Sequence, residues 1–123
     1  MGLVECRRPV VLIVEDEFLL RMDAAEIIAA GGFEVLEAEN ADEAIEILEH
    51  RNDIRLAITD INLLGLMNGL KLAATVKDRW PPINTIIVSG YSAPGSGEMP
   101  SGSLFVPKPY NAGKMIAAVR HFQ

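Results

Sequence analysis

Four short apolar runs in this sequence are each closed by a residue able to do chemistry. Glu15-Asp16 follows Pro9–Val14, Asp60 follows Arg55–Thr59, Ser89 follows Ile83–Val88 and Lys108 follows Leu104–Pro107. Three carboxylates brought into one small cleft repel one another unless a proton or a cation joins them. An all-oxygen donor set with few protein ligands suits Mg2+ or the similar Mn2+, which keep several of their waters. Lys108 and Ser89 would then stand where an anion bound to that metal could be held. Singly, an Asp after a strand reads as a helix cap and a lone Lys as a solvated charge. Together on four run ends, these residues point to an anion-and-metal site.

The elements that must position them follow from the pattern. With Phe33–Ala38 the apolar runs number five, several rich in Val and Ile without strict alternation, as in strands buried on both faces of a parallel sheet. Phe33–Ala38 alternates with Glu34 and Glu37 and reads as an edge strand. Between the runs lie helical stretches. One is Phe18–Ala30, ended by Gly31-Gly32. A second is a stripe of Ala41, Ala44, Ile45 and Leu48, and a third is Asn68–Arg79, ended before Pro81-Pro82. The last carries Met115, Ile116, Val119 and Phe122 behind Asn111 as N-cap. Alternating strands and helices imply a three-layer α/β sandwich with right-handed crossovers. For strand order 2-1-3-4-5 the order reverses beside Glu15, Asp16 and Asp60, where ligands bind in such sheets. One connection departs from the pattern. Ser92–Ser103 is dominated by Pro, Gly and Ser, which a regular helix tolerates poorly, so an irregular loop with at most one helical turn is expected.

Composition narrows the function. The chain has 123 residues, 50% hydrophobic and 23% charged, which is the size and apolar content of one domain with a core. We divide it into an N-terminal tail, 1–8, and a domain, 9–123. With 17 Asp+Glu against 11 Lys+Arg the net charge is −6, which disfavours binding to nucleic acid. The longest aliphatic run, Val10–Val14, is far too short to span a membrane, and the start lacks a signal-peptide core. Cys6 is the single cysteine, so no internal disulfide forms and a cytoplasmic setting is expected.

These residues resemble a bacterial response-regulator receiver domain over nearly the whole chain, Pro9 to Phe122. The hallmarks stand as Val-Glu-Asp-Glu at 14–17, Thr-Asp-Ile-Asn-Leu at 59–63, Ile-Val-Ser-Gly-Tyr at 87–91 and Phe-Val-Pro-Lys-Pro at 105–109. The resemblance implies the flavodoxin-like fold with order 2-1-3-4-5 and Asp60 as phosphoacceptor. It makes Glu15 and Asp16 the acidic pair for Mg2+, directly or through water, and has Asn62 offer its backbone carbonyl to the metal. It further gives Ser89 as the switch hydroxyl, Lys108 as the phosphate-pairing lysine, Phe105 as the switch aromatic and a cis bond before Pro109. The expected partners are a histidine kinase or phosphotransfer protein and a separate downstream protein, with the chain a monomer or weak dimer. No effector is expected to be fused, since the sequence ends just after the last helix.

Four departures from the family pattern bear on the site. Glu15 stands where Asp is usual, Leu64 where Pro is usual with the turn to Gly69 one residue longer, and Ser89 where Thr is commoner. The Pro/Gly/Ser connection in place of a fourth helix is the last; similar short receivers with a degenerate fourth helix occur.

Two other functions compete. A haloacid-dehalogenase-type phosphatase also uses an Asp nucleophile after a strand but needs an acid/base two residues on, where Asn62 stands; no independent substrate turnover is therefore expected. A pseudo-receiver, an interaction domain never phosphorylated, would usually lose the acceptor, the acidic pair or the lysine, all present here. A dinucleotide site is disfavoured because no G-x-G-x-x-G follows the first strand. The acidic stretch Glu34–Glu49 reads as a solvated edge strand and helix face, and His50 and His121 as surface residues.

Overall fold

The computed structural model describes residues 8–65, 67–90, 94–95 and 97–122. Five parallel strands, β1 (Val10–Val14), β2 (Glu34–Ala38), β3 (Ile54–Asp60), β4 (Asn84–Ser89) and β5 (Leu104–Pro107), form one sheet in the order β2-β1-β3-β4-β5. Four helices join them among the described residues: α1 (Phe18–Ala30), α2 (Ala41–His50), α3 (Gly69–Arg79) and α4 (Ala112–His121). This is the three-layer α/β sandwich expected from the pattern, in the flavodoxin-like strand order that the resemblance implied, with the glutamate-bearing β2 at an edge.

Successive strand residues point to opposite faces, and the core divides accordingly. Val11, Ile13, Ile58, Ile86 and Val88 pack with Ala24 and Ile28 of α1 and Met115 and Val119 of α4. Leu12 and Val14 pack with Leu48 of α2 and Leu72 and Val76 of α3. Leu12, Ile28 and Met115 are wholly buried, each worth about 1.5–3 kcal/mol relative to exposure.

Element limits differ from expectation by about one residue. Asp60 and Ser89 are the last residues of their strands, and Asn68 caps α3 instead of lying inside it. Three asparagines begin helices in the same way. Asn40, Asn68 and Asn111 accept the backbone N–H of Glu43, Lys71 and Lys114 at 2.8, 2.9 and 2.8 Å.

Between β4 and β5 the described residues form turns and no helix. Glu98 N–H bonds Gly95 C=O and Ser103 N–H bonds Pro100 C=O, with Gly102 at φ 86°. The loop is tied to the sheet by a hydrogen bond between Thr85 and Ser103 hydroxyls, and to α3 by Lys77 Nζ donating to Ser101 C=O at 3.3 Å. Of the expected irregular segment, Ser92, Ala93 and Ser96 lie outside the described residues, as do residues 1–7 of the tail.

Gly69 opens α3 directly against the end of β3, its N–H donating to Ile61 C=O at 2.9 Å. A Cβ there would overlap the Asp60 carbonyl. Gly69→Ala should therefore cost about 3 kcal/mol, because backbone rather than a movable side chain must give way. Urea denaturation checks this; a loss below about 1 kcal/mol would contradict the packing described.

Candidate functional site

The carboxyl edge of the sheet brings the ends of β1, β3, β4 and β5 together. Glu15 follows β1 with its backbone N–H donated to Ala38 C=O of β2 at 3.0 Å. Its buried carboxylate accepts Glu17 N–H on Oε2 at 3.1 Å and Lys108 Nζ on Oε1 at 2.8 Å. The same ammonium reaches Asp60 Oδ2 at 2.6 Å, while Asn62 N–H holds Asp60 Oδ1 at 3.0 Å. Lys108 thus bridges two carboxylates that would otherwise repel each other. Its own backbone N–H donates to Ser89 C=O at 2.8 Å, which seats the base of its side chain on the end of β4. The Lys108–Pro109 peptide bond is cis.

Asp16 stands on the rim, its Oδ2 accepting Leu64 N–H at 3.1 Å, which ties the loop after β3 to the end of β1. Ser89 is buried beside β3, where Asp60 pairs in register with the preceding residue, Val88. Phe105 pairs with Ile87 and Pro107 with Ser89, so half-buried Phe105 lies one pair below Ser89 on the same sheet face. Asn62 is exposed, and its backbone N–H is already directed at the Asp60 carboxylate.

Burial drives the electrostatics. It pushes the Glu15 carboxyl above the usual carboxylate range, more than the Lys108 hydrogen bond pulls it down. Burial alone would lower the Lys108 ammonium, but the hydrogen bonds it donates to Asp60 and Glu15, with their charges, outweigh it and hold the group above 10.5. Tyr110, packed next to this site, has its phenol raised above 10.0 by burial.

The donor set fits a hard dication. Glu15, Asp16 and Asp60 offer only oxygen, and the lysine drawn between two of them shows that the cleft favours positive charge. Among the described residues no three His, Cys, Asp or Glu side chains are gathered closely enough to hold an ion as they stand. The carboxylates are arranged around Lys108.

Two features of the site escaped the sequence pattern. Arg21 of α1 is buried and donates to Glu15 C=O at 2.9 Å. Its signal was a charge on the stripe that continues through buried Ala24 and Ile28, at i+3 and i+7. The second is an apolar rim. Phe18, Leu19, Leu20, Met22 and Leu64 are the large exposed hydrophobics of the described residues, on the first turns of α1 and the loop after β3. The signal was an α1 with apolar residues on both faces.

Comparison with known proteins agrees with this geometry. The response regulator receiver domain pattern matches residues 11–120. The sensor kinase CckA of Brucella abortus is 30% identical over 114 residues, covering 89% of this chain and 12% of CckA. The aerobic respiration control protein ArcA of Escherichia coli K12 is 44% identical over 71 residues, covering 58% of this chain and 29% of ArcA. The chain thus spans less than a third of the length of these relatives. Among solved structures, a response regulator receiver protein from Sinorhizobium medicae superposes with TM-score 0.89 at 24% identity, covering 96% of each chain. The receiver domain of the hybrid histidine kinase CckA superposes with TM-score 0.78 at 31% identity, covering 92% of this chain and 97% of that one. A match over residues 11–120, on this fold and with this site, makes the chain a member of the response regulator receiver domain family.

Proposed function

We propose that Asp60 is the phosphoacceptor of a two-component pathway or phosphorelay, taking a phosphoryl group from a histidine kinase or phosphotransfer protein. The observation that carries this is Lys108 Nζ held 2.6 Å from Asp60 Oδ2 at the open carboxyl edge of the sheet. Receiver domains are signalling domains, not classical enzymes, and generally bind Mg2+ at the phosphorylation site.

Transfer to Asp60 forms one carboxylate O–P bond as the donor's bond to phosphorus breaks, so the protein's work is positioning and charge neutralisation. Asn62 N–H and Lys108 fix the two oxygens of the Asp60 carboxylate. As the phosphoryl group arrives, Lys108 pairs with its oxygens and the Ser89 hydroxyl with another. Phe105 responds on the same face. Mg2+ held by Glu15, Asp16, Asp60 and the Asn62 carbonyl would supply further positive charge to those oxygens. The apolar rim beside Asp16 suits the partner that must present its phosphohistidine, since contiguous exposed apolar surface marks protein contacts. Output then passes to a separate protein, and the setting is the cytoplasm. No helix among the described residues is long and apolar enough to cross a membrane.

Mg2+ should bind in the range of about a millimolar, because few protein ligands are offered and the ion keeps waters. Asp16→Ala should weaken it at least about tenfold. Amide shifts in an NMR titration check both, and an unchanged affinity in the variant would remove Asp16 from the site. The reading as a whole is tested with beryllofluoride, a phosphoryl mimic. Amides of Asp60, Ser89 and Lys108 should move into a new bound state with beryllofluoride only when Mg2+ is present. Unmoved amides at saturating reagent would overturn it.

A further inference from the structure

Arg21 is a buried arginine whose three guanidinium nitrogens each meet a different partner. NH1 donates to Glu15 C=O at 2.9 Å, Nε lies 3.3 Å from Glu37 Oε1 and NH2 lies 3.6 Å from Glu39 Oε1. The guanidinium also stands over the Phe18 ring, 5.5 Å from its centroid. Glu37 and Glu39 are largely exposed, so their pairing with Arg21 adds little net stability. The contact with Glu15 C=O is different, because that hydrogen bond is buried.

The carbonyl of Glu15 belongs to the peptide that carries the Asp16 N–H. On its near side, Glu15 N–H is fixed to Ala38 C=O. On its far side, Arg21 holds the carbonyl. The backbone at the acidic pair is thereby clamped at both ends, and with it the direction in which the Asp16 side chain leaves the chain.

We infer that Arg21 is a positioning residue that aims the acidic pair: by holding the Glu15–Asp16 peptide it sets the Asp16 carboxylate for the dication. This rests on the reading of Glu15, Asp16 and Asp60 as the Mg2+ site. Loss of the guanidinium would leave a buried carbonyl without its donor, a penalty relieved by rotating the peptide and carrying Asp16 away.

Charge and positioning predict opposite signs here. Removing a positive group bonded to the backbone of the acidic pair makes the site more negative and, through charge alone, tightens binding of a dication. A role confined to stability leaves the affinity of the folded protein unchanged. Only lost aim weakens it.

The test is an NMR Mg2+ titration of wild type, Arg21→Met and Arg21→Lys, with stability followed in parallel by urea denaturation. Arg21→Met should bind Mg2+ about tenfold more weakly, the lower end for groups that orient a ligand. Arg21→Lys keeps a donor for the Glu15 carbonyl but cannot span all three partners, and should recover most of the affinity. In the metal-free proteins the Asp16 amide nitrogen shift, which reports hydrogen bonding at the preceding carbonyl, should move in Arg21→Met and stay close to wild type in Arg21→Lys. If Arg21→Met does not fold, Arg21→Leu, which likewise offers no donor to the Glu15 carbonyl, replaces it, with the same expected shift and loss of affinity. Unchanged or tighter Mg2+ binding in the folded neutral variant, with wild type binding normally, overturns the inference alone. A wild type that shows no Mg2+ response at its acidic pair removes the metal-site reading, and this inference with it.

Discussion

Lys108→Met should slow phosphorylation by a small donor about a hundredfold and destabilise the metal-free protein by about 2–3 kcal/mol. The rate effect follows from losing the positive group poised 2.6 Å from Asp60 Oδ2, on the scale seen when one preorganised donor to developing charge is removed. The stability effect follows from leaving the buried Glu15 and Asp60 carboxylates beside each other without their shared cation. Breaking a buried pair by deleting one partner costs about 3–5 kcal/mol, and the 19% exposure of the Lys108 side chain places this one lower. Its pH dependence has a definite sign. The folded-state value of Lys108 is raised, so its stabilisation is fully present below 10.5 and is lost only as pH rises through the higher folded value. The gap between wild type and variant should thus hold from pH 7 to about 10 and narrow above it. Mg2+ should restore part of the lost stability, since a dication can take the place of the missing charge. Denaturation midpoints with and without Mg2+ check this. A variant as stable as wild type in the absence of metal would mean that the lysine bridge carries no weight.

Much of this arrangement was legible in the sequence because strand ends are easy to read. Val- and Ile-rich runs such as Val10–Val14 declare buried parallel strands, and each stops abruptly at Glu15, Asp60, Ser89 or Lys108. Parallel pairing then puts those stops on one edge. The absence of a fourth-helix pattern was equally plain, because Pro, Gly and Ser between β4 and β5 withhold helix propensity.

What remained hidden depends on side-chain reach through space. Glu15 was read as one of the acidic pair for a metal, yet its Oε1 accepts from Lys108, ninety-three residues away in the chain. Arg21 stood out in no sequence pattern, and its partners Glu37 and Glu39 come close only because the end of β2 lies beside α1. The acidic stretch Glu34–Glu49 contains no base, but Glu34 meets Arg51 and Glu49 meets Arg79. Those arginines lie outside the stretch, so its neutralisation could not be read from local charge. The pairing supports the reading of the stretch as a solvated edge strand and helix face.

Asp60→Asn should take up no phosphate, the second of the two large effects. The amide is not a nucleophile, and it lacks the negative charge that pairs with Lys108 and would bind Mg2+. The variant should nonetheless fold, because Asn can still accept from Asn62 N–H and the Glu15–Lys108 pair is untouched. That separates loss of chemistry from loss of structure. The decisive measurement is intact mass after incubation with acetyl phosphate and Mg2+, wild type beside Asp60→Asn. Wild type should gain a single phosphate that survives acid and is lost in base, as an acyl phosphate is, and the variant none. Equal incorporation in the two proteins, or a wild-type phosphate stable to base, would contradict the assignment of Asp60 as acceptor.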